Sequence, residues 1–511
     1  MERVEDAEHQ SAPKITEPGS TNDNDALPVH TRSMRQAAQY CLSTLASISP
    51  TGMASFCQKV TSHQDPWRTH QRLEAYDAFW GPLPANLSAS TEPPVIPKVH
   101  YSEISPEEFR RRFHDLNLPC LVDLEDVSHT DDAGSIWFSG VNRLWRQPSE
   151  SGKPESSQRH VVNRDWFVET LGLDCQLPVR FQPQESVQLD DEGRATECQT
   201  KKITLSEWNW MLVENADDRQ SDEPVRNPYY LKDWHLQLQL EQRPRIQSIP
   251  ALYKCPPIFE VDLLNSFLTR FTDGDYRFCY WGPRGSFTSR HSDVLHSFSW
   301  SYNVVGTKKW TFFRSSGCQL QGQEAAKQKV GGSNRVSEQT FTVIQRSGQA
   351  MFVPSQWQHE VINLEETISI NHNWVTCANL DICWECLVTE IEAIDKEMKA
   401  WGIDDNLEAY ESMLRGCVGL DVTGFFLMTF TRLCDLLTIV VKNPGRLRDD
   451  LQANSKLLDC SLAEATRLLL MLRRISDDEA VQLQRRLWSV LKSETLASEL
   501  MNTATPLHQI V

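Results

Sequence analysis

The stretch SRHSDVLHSFSWSYNVVGTKKW, residues 289–310, decides how this chain is interpreted. His291 and Asp293 stand two positions apart in it, and on a β-strand such residues project from the same face. Their imidazole and carboxylate could therefore share one metal ion. A ferrous centre that works on dioxygen uses two histidines and one carboxylate and keeps its other positions open. An H-x-D pair alone is more commonly a surface pair, so this pair needs support from elsewhere in the sequence.

The residues after the pair alternate between small polar and large apolar side chains, which predicts a strand with one polar face. A second stretch, AMFVPSQWQHEVINLEETISINHNWV at 350–375, has the same alternation and contains His359. Two such strands favour a barrel with a wet interior over a sheet whose serines merely face solvent. The polar faces consist of Ser297, Ser299, Ser301 and Asn303 on the first strand and Thr367, Ser369, Asn371 and Asn373 on the second.

The composition is that of a large acidic globular protein. Its 511 residues include 51 Lys and Arg against 69 Asp and Glu, which gives a net charge of -18. This sign is wrong for tracking a nucleic-acid backbone, so we expect a basic partner and no direct nucleic-acid binding. The 14 cysteines follow no repeated spacing, the first residues form no leader, and no apolar run approaches the roughly 18 residues of a membrane span. We therefore expect an intracellular protein, cytoplasmic or nuclear, that does not enter a membrane.

Shifts in composition divide the chain into four predicted regions. Residues 1–33 are acidic and polar with few aromatics, which is typical of a disordered tail. Residues 34–95 predict a helical extension that ends in a proline-rich linker. A folded domain follows at 96–377, where short runs bounded by Gly, Pro and Asn are typical of a β-sandwich or barrel. Residues 378–511 have helical periodicity and predict an all-α region, so the expected fold class is α+β.

The two stretches resemble a known family. HSD followed by GTKKW, and then GQAMFVPSQWQHEVINLEETISINHNW, are similar to the jumonji-C class of Fe(II)- and 2-oxoglutarate-dependent oxygenases. The resemblance covers roughly residues 275–376 and implies a double-stranded β-helix, a jelly-roll of the cupin-like type, with flanking helices. It also implies that His291, Asp293 and His359 hold the ferrous ion and are catalytic through it.

The resemblance further implies a binding site for 2-oxoglutarate. The family's cosubstrate lysine falls on Lys308 in the GTKKW turn, with Lys309 as the alternative. Polar positions that contact the same cosubstrate in the family match Ser301, Asn371 and Thr288. The implied cofactors are Fe(II), 2-oxoglutarate and dioxygen, with ascorbate as an optional reductant.

Within the family, the resemblance is greatest to small members that hydroxylate a lysyl side chain of a eukaryotic translation-termination factor. It implies a protein lysyl hydroxylase whose protein substrate is a translation release factor. Two alternatives stay open: an N-methyl-lysine demethylase acting on a histone or another protein, and a catalytically silent cupin-fold binding module. A complete triad together with Lys308 favours an enzyme, and the lack of a chromatin-reader zinc array in the sequence favours hydroxylation.

Several other residues have a competing functional interpretation. His296 is close to His291 in sequence, but five positions along a strand it would face the opposite way. Cys383 and Cys386 form a C-x-x-C inside a helical pattern, without a second pair at zinc-finger spacing. His372 falls on the apolar face of its strand, and we expect it to be a hydrogen-bonded core residue.

The region after residue 378 begins with apolar residues that step by four and three until Gly402, which predicts an amphipathic helix. Core packing is the simplest role for this stripe, and a homodimer through the C-terminal helices is the alternative. The stripe consists of Leu380, Trp384, Leu387, Ile391, Ile394, Met398 and Trp401.

Two acidic loops contribute to the negative charge of the chain. Their field would attract a cationic segment, such as a lysine-bearing loop of a protein substrate. The alternative is that the acidity only keeps a large protein in solution. The loops contain Asp190, Asp191, Asp217, Asp218 and Asp222.

Overall fold

The computed structural model describes residues 27–60, 67, 69–80, 95–124, 137–148, 160–181, 199–214, 229–242, 252–314, 339–402, 406–442, 451–479 and 482–508. Two β-sheets form its centre, and helices from both ends of the chain cover them. Most of the predicted tail and both predicted acidic loops lie outside the described residues.

The strands define the central part of the fold. In chain order the described strands are β1 (Lys98–His100), β2 (Cys120–Asp123), β3 (Arg146–Pro148), β4 (His160–Val162), β5 (Gln176–Phe181), β6 (Gln199–Thr204), β7 (Tyr229–Trp234), β8 (Arg277–Gly282), β9 (Phe287–His291), β10 (Phe298–Val305), β11 (Lys308–Phe313), β12 (Thr340–Gln345), β13 (Gln349–Val353), β14 (Gln358–Asn363) and β15 (Thr367–Trp374).

The strands form a nine-stranded sheet, a four-stranded sheet and a short hairpin. The nine-stranded sheet has the spatial order β1-β2-β13-β10-β15-β8-β7-β5-β6, and the four-stranded sheet has the order β12-β11-β14-β9. Lys308 on the smaller sheet donates hydrogen bonds to Ser301 and Ser369 on the larger sheet, so the two sheets face each other. This arrangement is the predicted double-stranded β-helix, and the α+β class with flanking helices is confirmed.

The two central strands, β10 and β15, have the predicted polar and apolar faces. They pair in antiparallel register, with Ser301 opposite Asn371 and Phe298 opposite Trp374. The apolar residues point away from the facing sheet into a core shared with outer helices, where Phe298 is 1% exposed. The polar residues point between the sheets, so the wet-interior interpretation of the alternation is correct.

The helices lie around the sheets. In chain order the described helices are α1 (Val29–Ala46), α2 (Pro50–Lys59), α3 (Thr69–Trp80), α4 (Pro106–Phe109), α5 (Ser139–Trp145), α6 (Arg164–Leu171), α7 (Leu205–Glu214), α8 (Leu236–Glu241), α9 (Leu263–Phe271), α10 (Leu380–Trp401), α11 (Leu407–Val418), α12 (Val422–Leu437), α13 (Leu451–Asp478), α14 (Leu483–Leu491) and α15 (Glu494–His508).

Helix α1 packs into the same core as the C-terminal helices, although some 380 residues separate them in the chain. Met34 and Cys41 are buried in one cluster with residues of α12 and α13, and the His30 Nε2 lies 2.8 Å from a carboxylate oxygen of Asp421. The helix begins at Val29, so assigning all of residues 1–33 to a disordered tail was wrong for the last five. Polar composition misled the prediction because short polar residues of α1, among them Thr31, are buried.

Helix α12 and the turn that follows it correct another expectation. Residues Val422–Val441 form a segment of 20 residues with a mean hydropathy of 1.7, long and apolar enough to cross a membrane by length and composition. The expectation that no apolar run approaches this length was therefore wrong. In the fold, 72% of an 18-residue window of this segment is buried inside the protein, as in the core helix of a globular bundle.

Helix α10 ends where the sequence predicts. It runs from Leu380 to Trp401, and Gly402 closes it in the left-handed conformation at φ +71°, which glycine adopts at little cost. The predicted stripe faces the helical core from Leu380 to Met398. Trp401 is the exception, since it is 61% exposed.

Helix α3 is held to the start of α10 by a buried ion pair. Arg72 is 2% exposed, its Nη1 lies 2.9 Å from Asp381 Oδ2, and its Nη2 donates to the Ala378 carbonyl. Burial raises the pKa of Asp381 in spite of the nearby Arg72 cation. The pair therefore holds a carboxylate charged in a site that disfavours charge.

Removing one partner of this pair should destabilise the fold strongly. We expect Arg72→Met to lower the free energy of unfolding by about 3–5 kcal/mol, because it leaves the Asp381 carboxylate buried and unpaired. The double variant Arg72→Met/Asp381→Leu should recover most of the loss. Urea denaturation checks this, with Arg112→Met as the control, because its partner Glu108 lies in an exposed pair of at most about 1 kcal/mol. Equal effects of Arg72→Met and Arg112→Met would contradict the assignment.

Candidate metal centre and cosubstrate pocket

Three side chains converge at one end of the smaller sheet. His291 ends β9 and pairs directly with His359 on β14, and their ring centroids lie 4.4 Å apart. His291 Nε2 lies 3.9 Å from Asp293 Oδ1, and one ligand atom from each of the three residues lies within 4.8 Å of the others. Among the described residues, these three form the sole group of His, Cys, Asp and Glu side chains with this geometry.

Backbone carbonyls fix the orientation of both imidazoles. His291 Nδ1 lies 2.8 Å from the Ser289 carbonyl oxygen, and His359 Nδ1 lies 2.9 Å from that of Trp357. A carbonyl only accepts, so each Nδ1 carries the proton and donates. Each Nε2 is thereby left as an acceptor whose lone pair can bind a metal.

The carboxylate is oriented in the same way. Ser299 Oγ donates to Asp293 Oδ2 at 2.6 Å, which leaves Oδ1 directed at the histidines. Burial, together with the neighbouring His359 and Lys232, holds the pKa of His291 well below its usual range. A neutral imidazole is the form that binds a metal. Two imidazoles and one carboxylate on one face fit Fe(II).

The carboxylate reaches the site by a different local structure from the one predicted. Strand β9 ends at His291, and Asp293 lies beyond it at the start of a 3₁₀ turn, Val294–His296. The chain turns there through Leu295 at φ +56° and His296 at φ +46°. His296 is not part of the metal group, as predicted, but the turn rather than strand alternation places it elsewhere.

The residue that orients His359 is itself held by helix α3. The ring of Trp357 stacks on Trp80 with a centroid distance of 5.8 Å and meets Tyr76 edge-on at 5.2 Å. Its indole N–H donates to the Asn117 carbonyl at 2.9 Å. The N-terminal helical extension therefore supports the backbone at the distal histidine.

A buried ammonium group lies in the same cavity. Lys308 is 1% exposed, and its Nζ donates to Ser369 Oγ at 2.7 Å and to Ser301 Oγ at 3.3 Å. Among the described residues no carboxylate lies within ion-pair distance of it, and burial lowers the pKa of Lys308 to about 7. A ligand carboxylate would supply the opposite charge that this site lacks, so Lys308 fits the distal end of 2-oxoglutarate.

The polar partners of Lys308 include one that the sequence analysis did not assign. Ser369 Oγ accepts from Lys308 and also from Asn371 Nδ2 at 2.9 Å. Ser369 was recognised as a member of the polar face, and that alternation was the available signal. Lys309 lies on the opposite, less buried face of β11, so of the two candidate lysines the structure brings only Lys308 into the cavity.

A β-bulge explains why Thr288 also lines the cavity. Residues three apart on a regular strand face opposite ways, yet Thr288 and His291 both face the site. On the partner strand, Val361 pairs with Thr288 and His359 pairs with His291, so β9 has one extra residue between these pairs. The bulge resets the alternation and brings both side chains to one side.

The cavity, of about 450 Å³ including its open mouth, is also lined by residues from β7 and β8 that the sequence analysis did not single out. They are Tyr230, Lys232 and Tyr280. The motif resemblance is thin around YYLKDW, where two of the three lie, and that segment was the only available signal.

The other competing residues have structural roles. His372 Nε2 lies 2.7 Å from the Tyr253 hydroxyl, and its ring packs on Trp300 at 4.1 Å, so it is the expected hydrogen-bonded residue. Cys383 and Cys386 are buried in α10, where burial raises the pKa of both thiols. Neither belongs to a metal-binding group in the described part of the chain.

The chain is similar in sequence to known proteins. The description "JmjC domain, hydroxylase" matches residues 278–374, which contain the metal triad and Lys308. Two proteins named "2-oxoglutarate and iron-dependent oxygenase JMJD4" are similar to the chain. The one from Danio rerio is 38% identical over 38% of this chain and 48% of its own length. The one from Mus musculus is 33% identical over 47% of this chain and 58% of its own length.

A plant relative covers more of the chain. The "Arginine-specific demethylase JMJ20" of Arabidopsis thaliana is 31% identical over 412 residues, which are 74% of this chain and 78% of the relative. The chain belongs to the JmjC family. It spans about half the length of the two JMJD4 relatives, so JmjC membership alone assigns neither a substrate nor a partner.

The JmjC triad predicts that metal binding depends on Asp293. We expect Asp293→Ala to weaken Mn(II) binding at least about 100-fold, because it removes the charged ligand. Loss of a residue that only supports a metal ligand typically weakens binding by about 10–100-fold, and loss of the ligand itself should cost at least as much. Titration calorimetry measures this, and circular dichroism should show an unchanged fold. Asp395→Ala is the control, since it removes an exposed carboxylate on α10. Wild-type affinity in Asp293→Ala would exclude the triad as the metal site.

The position of Lys308 predicts how 2-oxoglutarate binding responds to mutation. Lys308→Met should weaken binding by about 3–5 kcal/mol, the cost of breaking a buried pair, whereas Lys309→Met should leave it nearly unchanged. Binding to the Mn(II)-loaded protein is measured by calorimetry. The reverse ranking of the two variants would show that Lys309 is the cosubstrate lysine.

The lowered pKa of Lys308 predicts a pH dependence of the same binding. The free site has its pKa at about 7, and a bound carboxylate raises it. Affinity should therefore be constant below about pH 7 and should fall by up to about tenfold per pH unit above it, as the free ammonium loses its proton. Lys308→Met should lose this slope, and a wild-type affinity that rises with pH in this range would contradict it.

Proposed function

We propose that this chain is an Fe(II)- and 2-oxoglutarate-dependent dioxygenase that hydroxylates a protein side chain. One observation supports it above all: the oriented triad and the buried Lys308 ammonium line a single cavity. Iron and 2-oxoglutarate held by these residues would supply the chemistry, in which oxidative decarboxylation of 2-oxoglutarate by dioxygen is coupled to oxidation of a substrate C–H bond.

Each protein residue has a defined task in this proposal. His291 and His359 bind the metal through Nε2, and the carbonyls of Ser289 and Trp357 hold the protons on the opposite nitrogens. Asp293 binds through Oδ1. Lys308 binds the distal carboxylate of 2-oxoglutarate, with hydrogen bonds from the neighbouring Ser301, Asn371 and Thr288. The aromatic walls exclude water and position the substrate.

The alternative of a catalytically silent binding module has less support. A silent module has no need to keep two imidazoles in a metal-binding tautomer, nor to bury an ammonium that costs several kcal/mol without a counter-charge. Both features are retained together in this chain.

The possible enzymatic activities differ in the residue that is oxidised. We propose a lysyl side chain of a translation-termination factor, because the motif resemblance is greatest to family members with that activity. Demethylation is the second candidate. The name of the Arabidopsis relative, "Arginine-specific demethylase JMJ20", supports an N-methyl-arginine substrate, and N-methyl-lysine is the corresponding lysine case. The same centre would serve all three activities, because hydroxylation of an N-methyl group is also a C–H oxidation. The hydroxymethyl amine that it gives breaks down to the free amine and formaldehyde.

One experiment separates these activities. The purified protein is incubated with Fe(II), 2-oxoglutarate, ascorbate and either a recombinant eukaryotic release factor or histone peptides methylated on lysine or arginine. We expect a mass increase of one oxygen atom on a lysine of the release factor, without formaldehyde. His359→Ala is the inactive control. If a methylated peptide released formaldehyde and the release factor stayed unmodified, the proposed activity would be wrong and the protein would be a demethylase.

The sequence also bears on where the protein acts and with what partner. We propose that it acts on a protein partner in the cytoplasm, with the nucleus as the alternative, and uses neither nucleic acid nor a membrane. The net charge of -18 supports a basic protein partner. A homodimer through the C-terminal helices is supported by the exposed rings of Trp401 and Trp488, which are 61% and 54% exposed.

A further inference from the structure

A second cavity lies beside the metal centre and is continuous with it. We refer to it as the outer pocket, and it is lined by Arg180, Tyr230, Lys232, Phe287, Thr288, Ser289 and His291. Four of these residues, Tyr230, Lys232, Thr288 and His291, also line the inner cavity that contains the triad and Lys308. A group bound in the outer pocket would therefore lie next to the residue that reaches the metal.

The outer pocket carries positive charge on a strongly acidic protein. Arg180 and Lys232 line it, and its lining contains no carboxylate. The carboxylate of Asp233 forms an ion pair with Arg180 behind it. The field of Lys232 extends inward, since its charge helps to lower the pKa of both His291 and Lys308. A local cationic site against a net charge of -18 is not explained by solubility.

A strained bulge positions the two cations. Strand β7 has one extra residue between the pairs Leu231–Trp281 and Trp234–Cys279, and within this bulge Asp233 adopts φ +56°. Such a conformation is uncommon for a non-glycine residue and persists where its surroundings enforce it. Bulges beside active sites commonly redirect side chains.

Hydrogen bonds enforce this conformation of Asp233. Its carboxylate accepts from the Tyr280 hydroxyl at 2.8 Å and from Arg180. Lys232, the preceding residue, lies with its Nζ 5.5 Å from the centroid of the Tyr280 ring. Tyr280 and Arg180 thus hold the Asp233 carboxylate in place, and Lys232, the residue before it, lines both cavities.

We infer that the outer pocket binds a carboxylate side chain of the protein substrate, next to the residue that is oxidised. This inference rests on the proposed function only for its assumption that the substrate is a protein. Arg180 and Lys232 line the pocket with cationic N–H donors, and such donors are suited to a carboxylate. An acidic neighbour would also offset the repulsion between Lys232 and a cationic target side chain.

Peptide binding tests the inference without turnover. Two pools of fluorescent peptides are used, each with a central lysine and Gly/Ser spacers. The flanking positions carry Asp in the Asp pool and Lys in the Lys pool. Each is titrated by anisotropy against the Mn(II)-loaded protein with 2-oxoglutarate. We expect the Asp pool to bind at least about tenfold more tightly than the Lys pool, since a charge-assisted hydrogen bond is worth about 1.5–3 kcal/mol.

Charge reversal locates the preference in the outer pocket. Lys232→Glu should invert the order in which the two pools bind. Lys232→Gln is the milder variant, to be used if Lys232→Glu does not fold, and it should abolish the preference for the Asp pool. The control is Lys202→Glu, the same change at an exposed lysine of strand β6, which β5 separates from β7 and which should keep the wild-type order. Equal binding of both pools, binding of neither, or an unchanged order in Lys232→Glu and Lys232→Gln would overturn the inference.

The outcome is independent of the oxygenase assays. An Asp preference that Lys232→Glu inverts would support the pocket even if no oxygen were added to any protein, in which case the proposed function alone would fall. Conversely, if the protein hydroxylated a release factor but showed no preference for the Asp pool, the proposed function would stand and the inference about the outer pocket would be wrong.

Discussion

The two sheets enclose buried polar side chains around one cavity, and most of the site follows from this constraint. Serine, asparagine and lysine side chains lie between the sheets beside an apolar cluster that includes Trp310, Phe312 and Met351, so every polar group there needs a partner in the fold or in a ligand. The apolar faces of the same strands point outward, where Phe298, Trp300 and Trp374 would otherwise meet water. A barrel of this kind must be covered by helices, and the flanking regions of the chain supply them.

The covering elements also reach the chemistry. Helix α3 packs its aromatic residues on Trp357, whose carbonyl orients His359, and Arg72 fixes the same helix to Asp381 at the start of α10. The distal ligand thus depends on contacts outside the segment that matches the JmjC description. Support of this kind matters because a metal ligand must be held in one tautomer and one direction.

The sequence revealed what is local and periodic. Alternation identified the polar faces of β10 and β15, and with the motif resemblance it identified the triad and Lys308. It could not reveal the bulges at Thr288 and Asp233, because an extra residue in one strand is recognised only from its pairing with the neighbouring strand. The shared core of α1 and α12 also stayed hidden, since it joins segments some 380 residues apart. Burial of polar residues in α1 hid the helix start.

The net charge of the protein acts over a longer distance than the charged side chains of the outer pocket, and the two can favour ligands of opposite charge. A net charge of -18 is felt over about one Debye length, roughly 8 Å at physiological salt, and favours the approach of a basic protein surface. Inside the mouth, Lys232 and Arg180 act over hydrogen-bond distances and favour an acceptor. A substrate with a basic surface and an acidic residue beside its target would satisfy both. Discrimination then arises at the pocket, because long-range attraction accelerates encounter with many basic proteins and selects few of them.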